Sequence, residues 1–119
     1  MSTQQVASRL SELCNKGDFE SAQKELFAND AVSIEMQATP DFPKETKGLK
    51  AILEKGKKWS AGVEQVHSIS ASKPTVVGNA IALTLTMDVN FKGRGRMKME
   101  ELCVYTVKDD KVTTEQFFM

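Results

Sequence analysis

At 119 residues, with 40% hydrophobic and 27% charged positions, the chain is long enough for one domain with its own core and has the composition of an ordinary globular protein. Its 16 Lys and Arg balance 16 Asp and Glu, so no net charge draws it toward nucleic acid or an anionic membrane. No apolar run approaches the roughly 20 residues of a membrane helix, and Met1 to Gln5 hold no apolar signal core, so a cytoplasmic protein is expected.

The first residues read as a helix. Ser2 caps it, with Gln5 as its capping-box partner, and Val6, Leu10, Leu13 and Cys14 form a narrow apolar stripe. Gly17 stops this helix and Asp18 starts a second, with Phe19, Ala22 and Leu26 on one side and Phe27 beside them. So short a turn makes the two helices packed neighbours.

Asn29 and Asp30 end the second helix, and Ala31 to Met36 alternates as a strand. Val32, Ile34 and Met36 lie on one face, Ser33 and Glu35 on the other. Ala38 to Lys47, with Pro40 and Pro43, has no periodicity and reads as a loop. Gly48 to Ala61 is a third helix with Leu49, Ile52, Leu53 and Trp59 as its stripe and Gly56 on the same side. Lys50, Lys55, Lys57 and Lys58 read as its solvated face.

Val63 to Ser72 reads as a strand, and Gly78-Asn79 as a turn. Ala80 to Met119 then gives three long strands with turns near Gly93-Arg94-Gly95 and at Asp109-Asp110. Apolar residues occupy both parities of these strands. One face is for the helices, and the other calls for a partner subunit or a second sheet. The order α-α-β-α-β-β-β-β is that of a single α+β domain, residues 1–119, in which a curved antiparallel sheet wraps N-terminal helices and encloses a cone. Such a cone is a natural small-molecule pocket.

The stretches Asn29 to Glu35 (NDAVSIE) and Lys47 to Ile52 (KGLKAI) resemble the opening of a SnoaL-like domain of the nuclear transport factor 2-like superfamily. Val104 to Val112 (VYTVKDDKV) with Glu115 to Phe118 (EQFF) resembles that family's last hairpin. Glu64 to Ser68 (EQVHS) and Thr86 to Val89 (TMDV) are weaker echoes. The resemblance spans nearly the whole chain and rests on the order and spacing of its motifs. It implies a cone-shaped α+β barrel, usually dimeric through the outer sheet face. It also implies a choice among ketosteroid isomerases, polyketide cyclases, dehydratases, hydrolases and non-catalytic domains, so fold alone does not name the reaction. The tyrosine and paired aspartates of ketosteroid isomerase are not reproduced, because Tyr105 is the only tyrosine.

A two-residue turn at Asp109-Asp110 pairs Lys108 with Lys111 and sets Tyr105 opposite Thr114, Cys103 opposite Gln116, and Glu101 opposite Phe118. The pocket face then carries Glu101, Cys103, Tyr105, Gln116 and Phe118. A bulge would turn Glu115 and Phe117 inward instead.

Glu101 is the first candidate proton carrier, because burial raises a carboxyl pKa toward neutrality. A carboxylate merely held by a neighbouring Lys or Arg is its bland reading. His67, the only histidine, is a candidate base or a structural residue, and Asp88 a catalytic acid or an outer-face residue. Tyr105 and Trp59 are candidate pocket aromatics, Tyr105 to steady an oxyanion. Met36 and Met87 are candidate lining. Cys14 and Cys103 are not spaced as a metal pair and read as small apolar residues in a reducing compartment.

The expected protein is a homodimer through its outer sheet face that binds a small, largely apolar molecule. If it is an enzyme, it is a cofactor-independent isomerase, cyclase or dehydratase-like lyase without a metal. The alternative is a non-catalytic protein-interaction or ligand-sequestering module.

Overall fold

Gln5 and Ser2 close the start of the first helix reciprocally: the Gln5 N–H donates to Ser2 Oγ (3.1 Å) and the Ser2 N–H donates to Gln5 Oε1 (2.8 Å). The computed structural model describes residues 1–119. Helix α1 (Thr3–Asn15) ends in a tight turn in which Gly17 takes φ 74° and Asp18 N–H reaches Leu13 O at 2.9 Å. Asp18 then caps α2 (Phe19–Leu26) by accepting from Ser21 N–H at 3.2 Å.

The chain passes directly from α2 into β1 (Phe27–Ile34), then β2 (Glu45–Lys47), α3 (Leu49–Ala61), β3 (Val63–Ala71), β4 (Thr75–Val77), β5 (Ala80–Phe91), β6 (Gly95–Lys108) and β7 (Lys111–Phe118). The strands form one sheet in the order β2-β1-β7-β6-β5-β3, with β4 also paired to β5. The three helices cover one face of it. Their stripes (Val6, Leu10 and Leu13; Ala22 and Leu26; Ile52) meet Ile81, Leu83, Leu85 and Val89 of β5 and Val107 and Val112 of the last hairpin. This is the expected α+β fold.

Four details depart from the reading of the sequence. β1 starts at Phe27, and Asn29 and Asp30 sit inside it at a register shift rather than ending a helix. Two short strands, β2 and β4, add to the expected elements, and β2 lies within the expected loop, Ala38 to Lys47. One pair is parallel, β1 with β7, because the chain leaves β1 and returns to it only after crossing the whole sheet.

The fourth departure is in the last hairpin. Asp109 and Asp110 both have positive φ (51° and 66°), as a tight two-residue turn with the twist of its strands requires, and Lys108 pairs with Lys111 as expected. A bulge follows at once: Val107 faces Val112, yet Thr106 faces Thr114, leaving Thr113 as the extra residue. Thr113 Oγ1 donates to Thr106 O at 3.3 Å. Beyond it Tyr105 faces Glu115 and Cys103 faces Phe117. Glu115 and Phe117 therefore take the inner face, and Gln116 and Phe118 the outer one.

Candidate functional site

Between the helices and the concave side of the sheet lies a cavity of about 1160 Å³ that opens to solvent. Its walls are apolar. Trp59 on α3 stands edge-to-face against Phe19 (centroids 6.2 Å) and Phe91 (5.9 Å), which fixes its indole as one side wall. Met87, Met99 and Phe117 line the sheet side.

The polar groups converge on one part of this cavity. Glu35 follows β1, Lys55 comes from α3, Ser33 from β1, Glu115 from β7 and Glu101 from β6. Lys55 Nζ lies 2.8 Å from Glu35 Oε1 and donates to Ser33 Oγ at 2.9 Å. The Ser33 hydroxyl donates in turn to Glu115 Oε1 at 2.8 Å. The Lys55 ammonium also stands 5.6 Å from the centroid of the Phe117 ring. Its side chain is only 16% exposed, so this is a sheltered ion pair rather than a surface one.

Burial acts on both sheet carboxyls. Glu115, 5% exposed, is pushed up to about 7 chiefly by burial; the Ser33 hydrogen bond and the Lys55 charge oppose this, and Glu35 and Glu101 add to it. Glu101 is likewise raised to about 7 by burial and the Glu35 charge, against the pull of the Cys103 thiol (Sγ to Oε1 3.8 Å) and Lys55. Tyr105 is fully buried, and burial among the thiols of Cys14 and Cys103 raises its pKa well above the usual value, so its hydroxyl stays protonated. Burial pushes the Cys14 thiol up to about 12 and the Cys103 thiol higher still, which makes both unreactive. No group of three or more His, Cys, Asp or Glu side chains is placed to hold a metal ion.

Of the residues chosen from the sequence, Glu101, Tyr105, Trp59 and Met87 border the cavity. Cys103 lies beneath it, touching Glu101 through its thiol. The other candidates sit elsewhere. His67 is exposed on edge strand β3, at a register shift between Val66 and Ser68, and its Nε2 lies 2.6 Å from Asn90 Oδ1. Asp88 is clasped on the outer face by Arg96 (2.9 and 2.7 Å), whose guanidinium holds its carboxyl below the usual range. Met36 is exposed beyond the end of β1, where its sulfur accepts from Met119 N–H at 3.1 Å. Gln116 and Phe118 face outward because of the Thr113 bulge.

The polar cluster holds residues outside the sequence candidates: Glu35 and Lys55 line the cavity with Ser33 behind them, and Glu115 and Phe117, expected inward only with a bulge, line it too. Local sequence signals existed for Lys55, Ser33 and Glu35. Lys55 stands three residues after Ile52 and four before Trp59, on the buried stripe of α3 rather than its solvated face. Ser33 and Glu35 share the parity of Ala31, which is fully buried.

A family model described as a SnoaL-like domain matches residues 1–119. No curated protein matches the chain. A solved structure from Mesorhizobium loti, described as a candidate SnoaL-like polyketide cyclase, is 32% identical, with 100% of each chain covered and a TM-score of 0.92. A Xanthomonas campestris protein of unknown function with a cystatin-like fold is 18% identical, with 99% of this chain and 90% of that one covered and a TM-score of 0.82. A nuclear transport factor 2-like protein of unknown function from Burkholderia pseudomallei is 11% identical, covering 100% and 92%, with a TM-score of 0.78. The last two likenesses speak to the fold alone.

Proposed function

The chain belongs to the SnoaL-like domain family, and from that premise we propose that it binds a small, largely apolar organic molecule in its cone and acts on it by cofactor-independent proton transfer, as an isomerase, cyclase or dehydratase-like lyase. The observation that carries this reading is Glu101: a half-buried carboxyl at the edge of an apolar cavity, pushed up to about 7 and with no cation of its own. A carboxyl poised near neutrality both accepts and returns a proton at working pH. In this reading Glu101 takes a proton from carbon beside a ligand carbonyl. The Tyr105 hydroxyl, kept protonated by burial, donates to the oxygen on which charge collects. The Mesorhizobium loti protein's description as a candidate cyclase supports the reading, since ring closure of a polyketone begins with such a proton transfer.

The test is α-carbon deuterium exchange. Cyclic and aryl ketones are incubated in heavy water with the wild-type protein and with Glu101→Gln, and exchange is followed by NMR. Faster exchange with wild type, cut about a hundredfold or more in the variant, is expected. Equal exchange in both proteins would falsify the assignment of Glu101.

We also propose a homodimer through the outer sheet face and a cytoplasmic setting. Leu102 (43% exposed) and Phe118 (39%) are register partners on that face, an apolar pair without cover in the single chain. Two free cysteines fit a reducing compartment. A non-catalytic, protein-binding or ligand-sequestering role draws on the same exposed pair.

A further inference from the structure

The inner polar groups are out of charge balance, and the imbalance has a direction. Three carboxylates, Glu35, Glu101 and Glu115, share the cavity with one ammonium, Lys55. Lys55 is already committed, to Glu35 at 2.8 Å and Ser33 at 2.9 Å. Neither Glu101 nor Glu115 has a salt-bridge partner. The only hydrogen bond to Glu101 comes from a thiol at 3.8 Å. Glu115 uses Oε1 for Ser33, and its Oε2 has no protein donor. Thr46 Oγ1 is the sole enclosed side-chain polar atom without a partner, so Glu115 Oε2 is not sealed in protein but borders the cavity. A residue 95% withdrawn from solvent thus presents a free carboxylate oxygen to the empty space.

The remaining groups that face this pair supply no cation. Besides Lys55 they are the Cys14 thiol from α1, Ser33 and Glu35 from the β1 side, and the Cys103 thiol and Tyr105 hydroxyl from β6. At the cavity's exposed rim four basic residues (Lys57, Lys58, Lys92 and Arg94) exceed three acidic ones (Asp18, Glu20 and Asp41) by one charge, and water and salt screen these exposed groups from the interior. Selection by charge falls to the interior. The molecule also carries its own example of an ammonium held there: Lys55 rests on a carboxylate, a hydroxyl and the face of Phe117. Aromatic rings and methionine sulfurs line the adjoining walls, and both are favourable neighbours for a cation on a hydrocarbon body.

We propose that the cavity's ligand is a monocationic amine with an apolar body, its nitrogen seated between Glu101 and Glu115 and its hydrocarbon against Trp59, Met87 and Met99. This rests only on the binding of a small, largely apolar molecule in the same cavity and not on the carbonyl proton transfer, because an ammonium paired to Glu101 occupies the carboxylate which that transfer uses as its base. The ammonium supplies the donors that the two carboxylates lack. Its charge favours their ionised forms, so binding releases protons near neutral pH, where both carboxyls are part-protonated.

The test compares two probes of nearly one shape, 1-aminoadamantane and 1-hydroxyadamantane, by calorimetric titration of the full chain. At about pH 8 the amine is expected to bind at least about tenfold more tightly than the alcohol. That preference should shrink at about pH 5.5, where both carboxyls are protonated. It should also shrink in Glu101→Gln and Glu115→Gln, with affinity for the alcohol retained as the sign that the cavity is intact. Two amine titrations in buffers of different ionisation enthalpy should reveal proton release. If the alcohol binds as well as the amine in wild type, the amine inference is overturned and the small-molecule reading survives. If neither probe binds, both are overturned. A preference for the amine that persists at about pH 5.5 or in both variants also overturns the placement of its nitrogen.

Discussion

Ser33 and Glu115 are register partners in the one parallel strand pair, and the Ser33 hydroxyl donates to Glu115 Oε1 at 2.8 Å. A hydrogen bond to a charged acceptor is worth about 1.5–3 kcal/mol, and this one favours the ionised form of Glu115. Ser33→Ala is therefore expected to raise the Glu115 midpoint above about 7, by about one pH unit or more. Carbon-13 NMR titration of the side-chain carboxyls reads it directly. An unmoved midpoint would remove Ser33 from the control of this acid.

Burial of Glu115 also sets the slope of stability against pH. Its folded-state pKa of about 7 lies above the ordinary 4.5, so between those values the folded chain binds more protons than the unfolded one. Stability is greatest below about 4.5 as far as this group is concerned, falls as pH rises toward about 7, and then levels. The change is roughly 3 kcal/mol at most. Glu101 adds to it with the same sign. Glu20 and Glu25, whose pKa values are lowered by Lys24 and Arg9, work in the opposite sense, but they are exposed and weigh little. Thermal melts from about pH 5 to 8 should show a falling Tm that Glu115→Gln flattens. A wild-type Tm that rises across this window would contradict the burial of an uncompensated acid.

The Thr113 bulge makes a covalent prediction. Cys103 faces Phe117 on the inner side of the β6–β7 ladder, whereas an unbulged hairpin sets it opposite Gln116. Directly opposed strand residues lie within disulfide reach, and residues on opposite faces do not. Phe117→Cys should therefore crosslink to Cys103 when the unfolded chain, in which both thiols are accessible, is refolded under mild oxidation, and Gln116→Cys should not. Mass spectrometry after alkylation separates the outcomes. The reverse pattern would return Gln116 and Phe118 to the cavity.

That bulge also marks where the sequence stops being legible. The ends of α1 and the start of α2 could be read because capping and periodicity are local (Ser2 with Gln5, Gly17, Asp18), whereas α2 passes into β1 at Phe27 with no breaker to mark it. The inner face of β6 could be read because Glu101, Cys103 and Tyr105 alternate from the Asp109-Asp110 turn, whereas the face of β5 stayed open because apolar residues occupy both parities of the strands. One extra residue after the Asp109-Asp110 turn reverses parity for everything beyond it, and Thr113 followed by Thr114 carries no mark of which one is unpaired. Glu101 could be placed because it precedes the bulge, and Glu115 only conditionally on a bulge because it follows it. Lys55 was hidden for another reason. A lysine beside Lys57 and Lys58 looks solvated, and only the tertiary approach of Glu35 and Ser33 turns its ammonium inward. His67 and Asp88 drew notice as lone polar residues in strands, and each is satisfied locally on the outer side, by Asn90 and Arg96.

The proposed dimer has its own test. Leu102 and Phe118 are paired on the outer face with about two-fifths of each exposed. A lysine there costs little in a monomer and much in a buried subunit interface. Leu102→Lys should convert a dimer to a monomer in sedimentation equilibrium while far-UV circular dichroism stays unchanged. A wild-type chain that sediments as a monomer would remove the outer face from the interface proposal.

Lys55 gives the sharpest energetic test, because it serves three partners at once. Its charge pairs with Glu35, its N–H satisfies Ser33, and its field lowers the pKa of both Glu101 and Glu115. Lys55→Met keeps most of the stem packing against Phe117 but leaves Glu35, 29% exposed, without its cation. The pair is sheltered yet not sealed, so the loss should be about 1–2 kcal/mol, below the 3–5 of a fully buried pair broken on one side. The midpoints of Glu101 and Glu115 should also move above about 7. Glu35→Gln in the Lys55→Met background removes the stranded charge and should recover part of the stability, giving a coupling energy of at least about 0.5 kcal/mol in a double-mutant cycle by urea unfolding. Additive effects of the two substitutions would mean that Lys55 and Glu35 are neighbours without being partners, and that the Lys55 charge is free to meet a ligand.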